Sequence, residues 1–189
     1  FAMNEQLKSQ AYRDFEHGIQ DAQDLLDHYD KLNEDSRPPP VAEVLKRTSL
    51  VMALTALETY IEDRMLEAAG RVVGIDKDAG RLAKYYRTSL EQNLKQFHAP
   101  TVERIRKLFK TFLDIDVTDG WNWPNYTSER AKAKLDEINH KRGLVAHRSS
   151  RPRVGDSTAH AVTREDLRKH IRFIRDLVAA TDKYLAERI

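Results

Sequence analysis

The sequence predicts an all-α protein folded as a single helical bundle of about six helices. Apolar residues recur at helical spacing along nearly the whole chain, and no stretch alternates apolar and polar residues as a half-buried strand does. Glycine and proline are scarce, at 7 and 6 of 189 residues, which argues against a turn-rich β fold. The chain has no cysteine, so its core forms without disulfides, which a chain of this length can do.

The first helix is predicted over residues 4–33 and has an acidic surface. Residues 1–36 contain nine acidic and three basic residues, a net charge of −6. The prolines at 38–40 end this helix because proline cannot continue the hydrogen-bond ladder. We therefore expect an N-terminal acidic helix in residues 1–37, packed on or extending from the bundle, and a helical domain in residues 38–189.

The second helix, predicted over residues 41–72, is apolar almost all round in its middle, which is typical of a helix at the centre of a bundle. A third helix is expected over residues 77–97. Its apolar residues are Leu82, Tyr85, Tyr86, Leu90, Leu94 and Phe97. A short fourth helix follows Thr101 and carries its own apolar stripe.

The segment 114–126 is predicted to be a loop, with Trp121 and Trp123 either closing the end of the bundle or stacking on bases. Thr127 or Ser128 can cap a fifth helix that runs towards His147. A basic loop over 148–162 precedes the last helix, whose apolar residues are Leu167, Ile171, Ile174, Val178 and Leu185.

The fifth helix carries the strongest functional signal. At 100° per residue, Arg142 falls on the apolar stripe of this helix. A guanidinium on such a stripe needs either a carboxylate partner, such as Glu58 of the second helix, or a bound anion. His140 and His147 share another face, and Gly143 between them leaves room for a ligand or a second subunit.

Three segments carry a resemblance to a known family. Arg142 to His147 match a pattern of an arginine, several intervening residues and a histidine. Leu54 to Glu62 in the central helix, and Phe97 to Phe109 before a loop with Trp121, fit the same family. Together they resemble the RiboL-PSP-HEPN subfamily of the HEPN superfamily, over roughly 45–150 and more loosely to 185.

The resemblance implies a helical bundle that forms a homodimer, with the two motif helices lining one cleft. Many HEPN proteins are metal-independent endoribonucleases of bacterial toxin–antitoxin or antiviral defence systems, and others are inactive binding modules. Arg142 and His147 are the positions that match the catalytic motif. The family often has a polar residue directly after the arginine, whereas this chain has Gly143; His140, Asn139 or Glu58 could support the site instead.

The chemistry expected of such a site needs no metal or cofactor, because RNA supplies the 2′-OH nucleophile. His147 would move a proton, and Arg142 would hold the scissile phosphate. Cations near the motif would form a track for the RNA backbone: Lys141, Arg148, Arg151 and Arg153. The alternative is a catalytically inactive HEPN-like module that binds RNA, a nucleotide or a protein, such as an antitoxin or another defence partner.

The sequence also bears on location. No apolar run approaches the length that a membrane-spanning helix needs. The first residues lack the basic and apolar regions of a secretory signal, and Phe1-Ala2 before Met3 resembles a cloning remnant. We therefore expect a cytoplasmic protein without a membrane partner.

Overall fold

The computed structural model describes residues 8–32, 42–74, 80–147 and 162–189, except for the side chains of residues 146 and 147. These ranges contain six α-helices and one short 3₁₀ helix, and no strand beyond an isolated bridge between Trp123 and Tyr126. The all-α prediction is therefore confirmed. In chain order the elements are α1 (Gln10–Lys31), α2 (Glu43–Val73), α3 (Gly80–Lys95), α4 (Val102–Leu113), the 3₁₀ helix (Val117–Gly120), α5 (Ser128–His147) and α6 (Arg164–Ala186).

The long helix α2 lies at the centre of the bundle, as its apolar middle predicted. It contacts α1, α4, α5 and α6. Its buried side chains cover more than half of the helix circumference, and Thr48, Thr55 and Thr59 are exposed on the remaining side. They include Leu50, Ala53, Leu54, Leu57, Tyr60, Ile61 and Met65.

Helix α1 packs along α2 and α6. Its apolar stripe is buried at Phe15, Ile19 and Leu26, and Ser49 Oγ of α2 donates to the Ala22 carbonyl at 2.6 Å. The acidic outer surface meets basic residues of α6, since Asp30 pairs with both Arg164 and Arg168. The predicted boundary between residues 37 and 38 lies outside the described residues.

A buried polar cluster joins the N-terminus of α1 to α2 and α6. Asp182 of α6 is fully buried and accepts hydrogen bonds from Arg64 Nε at 2.8 Å and Tyr60 Oη at 3.3 Å. The Ser9 backbone N–H and hydroxyl also donate to it. Since a buried carboxylate is stable only when it is paired and hydrogen-bonded, this cluster fixes the register of three helices.

The segment 114–126 is more ordered than the loop that the sequence predicted. Val117 and Thr118 are buried within the 3₁₀ helix. Trp121 is completely buried and donates from Nε1 to Thr181 Oγ1 at 2.9 Å, so it closes the bundle and is not available to stack on a base. A Cβ added to Gly120 would lie 2.4 Å from Tyr184 Cβ, so glycine allows this segment to approach α6.

Helix α3 lies at the edge of the bundle and contacts α4 through Tyr86 and Phe112. Tyr86 Oη donates to the Phe112 carbonyl at 2.5 Å, and the two rings pack edge to face. Two of the apolar residues that the sequence places on this helix, Leu82 and Tyr85, are exposed, at 84% and 74%. Only one side of α3 reaches the bundle, so its core contact is confined chiefly to Ala83 and Leu90.

Candidate functional site: an arginine-lined cleft on helix α5

Helix α5 positions Arg142 as its sequence pattern predicted. Leu135 and Ile138 are completely buried on the stripe that anchors this helix, and Val145 is 9% exposed. Arg142 lies on the same stripe and is half-buried. Among the residues that the structure describes, it forms no hydrogen bond or ion pair.

Arg142 lines a surface cleft of about 540 Å³. The walls come from α2, from the turn between α3 and α4, and from α5. The lining residues are Val51, Ala99, Thr101, Asp136, Asn139, His140, Arg142 and Gly143. The cleft thus combines an unpaired guanidinium and an imidazole, which are groups that bind and act on a phosphate, with the carboxylate of Asp136.

Glu58 does not neutralise Arg142. Glu58 is half-buried on α2, and its Oε2 accepts a hydrogen bond from the Ala99 backbone N–H at 3.2 Å. No ion pair joins the two side chains, so the expected Glu58–Arg142 pair is wrong. The carboxylate is instead used to hold the turn that forms one wall of the cleft.

Asn139 holds the same turn from the opposite side. Its Nδ2 donates to the Pro100 carbonyl and to the Leu135 carbonyl, both at 3.1 Å. Ala99 has a φ of 73°, in the left-handed region that non-glycine residues rarely adopt. Hydrogen bonds from two helices therefore stabilise a strained backbone next to Arg142.

A carboxyl group next to Glu58 titrates near neutrality. The pKa of Glu62, one turn further along α2, is raised to about 7, chiefly by burial and also by the charges of Glu58 and Asp63. Glu62 is not among the residues that line the cleft. Its titration therefore changes the charge beside the site without supplying a group inside it.

The structure describes the side chain of His140 but not that of His147. His140 is exposed and lines the cleft beside Arg142. Gly143 also lines it, and a Cβ added there would meet nothing within 4 Å. His147 is the last residue of α5, and its side chain lies outside the described part of the structure.

Lys141 lies away from the cleft. Its Nζ is 2.9 Å from Glu137 Oε1 and 4.0 Å from Asp166 Oδ2, so it links α5 to α6. Two carboxylates thus compete with any phosphate for this lysine. The other predicted RNA-binding cations, Arg148, Arg151 and Arg153, lie outside the described residues.

One titratable residue was missed by the sequence analysis. His170 of α6 is completely buried, and its pKa is lowered to about 4, chiefly by burial and also by Lys134 and Lys141. Glu137 and Asp166 act in the opposite direction. A signal existed, because His170 follows Leu167 by three residues and precedes Ile174 by four, which places it on the apolar stripe.

A comparison with protein families agrees with the helical architecture. The model of the RiboL-PSP-HEPN family matches residues 17–187. The chain belongs to the RiboL-PSP-HEPN family. The match begins inside α1, so the family likeness extends well beyond the segment 45–150 on which the resemblance mainly depended.

The HEPN domain therefore includes most of α1, and the cleft lies on a helix within the matched range. No curated protein and no solved structure matches the chain. Among the described residues, none of the helices is long and apolar enough to cross a membrane. The same residues contain no cluster of three or more histidine or acidic side chains that could hold a metal ion.

Proposed function

We propose that this HEPN protein is a metal-independent endoribonuclease that cleaves RNA by attack of the 2′-OH on the adjacent phosphate. The observation that carries the proposal is the unpaired Arg142 guanidinium in the cleft on α5, on the same helix as His147. A guanidinium can hold two phosphate oxygens at once and stabilise the negative charge that develops during attack.

The proton transfers are assigned to His147, whose unperturbed imidazole titrates near neutral pH. As base it accepts the 2′-OH proton, and as acid it donates a proton to the departing 5′-oxygen. In a homodimer two copies of the motif are available, so one histidine can act as base and the other as acid. The products are a 2′,3′-cyclic phosphate and a 5′-OH. His140 supports the site from inside the cleft.

A second candidate function is favoured by one observation. Gly143 follows Arg142 directly and contributes no polar group to the cleft. A module that binds RNA or a nucleotide without cleaving it needs the arginine but not a complete catalytic set. Either function suits a cytoplasmic protein of a bacterial toxin–antitoxin or antiviral system, with an antitoxin or defence protein as partner.

The test is cleavage of mixed cellular RNA in EDTA by the parent protein and by Arg142→Ala and His147→Ala. Arg13→Ala and His17→Ala are matched controls, because both residues are exposed on α1. The endoribonuclease proposal predicts cleavage by the parent and by both controls, and loss in both motif variants. RNA binding without cleavage would favour the binding module, and equal cleavage by all variants would exclude this site.

A further inference from the structure

We propose that one face of α3 is the track along which single-stranded RNA reaches the cleft; this inference rests on the proposed function. Helix α3 carries four basic residues and one acidic residue, Glu91. Arg81, Lys84 and Lys95 recur at intervals of three and eleven residues, so they project from the same side of the helix. That side faces away from Ala83 and Leu90, the residues that α3 buries.

The cations on α3 are unpaired, unlike most basic residues on the other helices. Among the described residues, Arg81, Lys84 and Lys95 form no ion pair or hydrogen bond, and each is exposed. By contrast, Lys46 of α2, Arg106 of α4, Lys141 of α5 and Arg168 of α6 each pair with a carboxylate. A phosphate backbone that approaches Arg81, Lys84 and Lys95 therefore breaks no ion pair of these residues, and the acidic residue on the same side of the helix is Glu91, four residues before Lys95.

The same face presents an aromatic ring to solvent. Tyr85 is 74% exposed and follows Arg81 by four residues, so its ring lies one helical turn from that unpaired cation. An exposed aromatic ring beside phosphate-binding side chains is the arrangement by which proteins stack single-stranded bases without reading their sequence. Neighbouring Leu82, at 84% exposure, extends the apolar surface beside the ring.

The position of α3 connects this face to the site. Arg81 and Lys95 are separated by about 21 Å along the helix axis at 1.5 Å per residue. Helix α3 ends at Lys95, four residues before Ala99, which lines the cleft. Because Glu58 and Asn139 hold the turn at Ala99 and Pro100, the end of the track has a fixed position relative to Arg142.

The test measures binding of a short fluorescent 2′-O-methyl RNA, which cannot be cleaved by 2′-OH attack, as a function of salt. The triple variant Arg81→Gln, Lys84→Gln, Lys95→Gln is compared with Arg13→Gln, Lys169→Gln, Arg172→Gln. The control set removes three exposed cations from α1 and α6. We expect the α3 variant to bind about tenfold to a hundredfold more weakly near 0.1 M salt, with a salt slope lower by about 2.

Tyr85→Ala is expected to weaken binding about tenfold, whereas Tyr85→Phe retains the ring and the affinity. Unchanged affinity and salt slope in the α3 triple variant would overturn the inference. A second result would also overturn it: Tyr85→Ala binds RNA as tightly as the parent but no longer self-associates in analytical ultracentrifugation. That result would show that this face of α3 contacts a second copy of the chain.

Cleavage of unmodified RNA separates this inference from the proposed function. Loss of binding in the α3 variants, with no cleavage by any protein, supports the track and contradicts the endoribonuclease proposal. Cleavage that the α3 variants retain at the parent rate, together with unchanged binding, overturns the track and leaves the proposed function intact. If the parent does not bind the RNA at all, both are contradicted.

Discussion

The Glu58 carboxylate accepts a hydrogen bond from the backbone N–H of Ala99 at 3.2 Å. This contact joins the central helix α2 to the turn between α3 and α4, and within the described part of the chain Arg142 of the neighbouring helix has no carboxylate partner. The cleft therefore contains a guanidinium that can bind an anion, together with the carboxylate of Asp136. Glu58 is accordingly a positioning residue in this account.

Replacing Glu58 tests the role of this hydrogen bond in stability. We expect Glu58→Ala to lower the free energy of unfolding by about 1 kcal/mol, because the Ala99 N–H loses its acceptor. Glu58→Gln keeps an Oε acceptor and should lose less than half as much. Urea denaturation provides the measurement, with Glu91→Ala, an exposed residue of α3, as the control. Equal destabilisation by Gln and Ala would show that the hydrogen bond is not the cause.

The buried Asp182 cluster should be the most sensitive polar site in the bundle. Asp182→Asn leaves the Arg64 guanidinium buried without a counter-charge, so we expect a loss of about 3–5 kcal/mol in the free energy of unfolding. Asp21→Asn on the exposed surface of α1 should change it by less than about 0.5 kcal/mol. A loss for Asp182→Asn no larger than for Asp21→Asn would contradict the buried pairing.

His170 should make the fold sensitive to acid. Its pKa is about 4 in the folded protein, below the value near 6.5 of the unfolded chain, so the unfolded state binds more protons between these two pH values. The free energy of unfolding therefore falls as the pH drops from about 6.5 to 4, because the buried imidazole must remain neutral in the folded state. The loss due to His170 is at most about 3 kcal/mol.

The measurement for His170 is the difference in unfolding free energy between the parent and His170→Gln, taken from pH 7 to pH 4. Using the difference removes the contribution of carboxyl groups that titrate in the same range, such as Glu62, whose pKa is raised to about 7. The parent should lose stability relative to the variant on acidification. A difference that stays constant with pH would show that His170 is not held neutral.

Gly143 should accept a side chain without strain. A Cβ at this position meets nothing within 4 Å, so Gly143→Ala should raise the free energy of unfolding by about 1 kcal/mol through helix propensity. Gly18→Ala on α1 is the matched control, because its Cβ would lie 3.3 Å from Ala56 Cβ and the gain should be smaller. Thermal unfolding measures both variants. A larger gain in stability for Gly18→Ala than for Gly143→Ala would contradict the open geometry of the cleft.

The same position tests the missing polar group. If the cleft needs a polar residue after the arginine, Gly143→Asn should increase the rate of RNA cleavage above that of both the parent and Gly143→Ala. Cleavage by the asparagine variant at the parent rate would show that the site works without this group.

The sequence predicted those features that depend on local periodicity. The six helices, the central place of α2 and the position of Arg142 beside Leu135, Ile138 and Val145 all follow from the spacing of apolar residues. These predictions succeed because a helix must bury one continuous stripe, and that stripe is visible in the sequence.

The features that the sequence did not predict depend on contacts between distant segments. The exposure of Leu82 and Tyr85 follows from the place of α3 at the edge of the bundle, which its own pattern does not show. The partner of Glu58 is a backbone N–H 41 residues away, and side-chain charge alone favoured Arg142 instead. The place of His147 relative to Arg142 remains a prediction, because its side chain lies outside the described residues.

The most direct test of the account compares cleavage of one RNA and its all-deoxy counterpart in EDTA by the parent and by Arg142→Ala. The account predicts that the parent cleaves only the RNA, leaving 2′,3′-cyclic phosphate ends, and that Arg142→Ala cleaves neither strand. Cleavage of the deoxy strand by the parent, or cleavage of the RNA by Arg142→Ala at the parent rate, would contradict it.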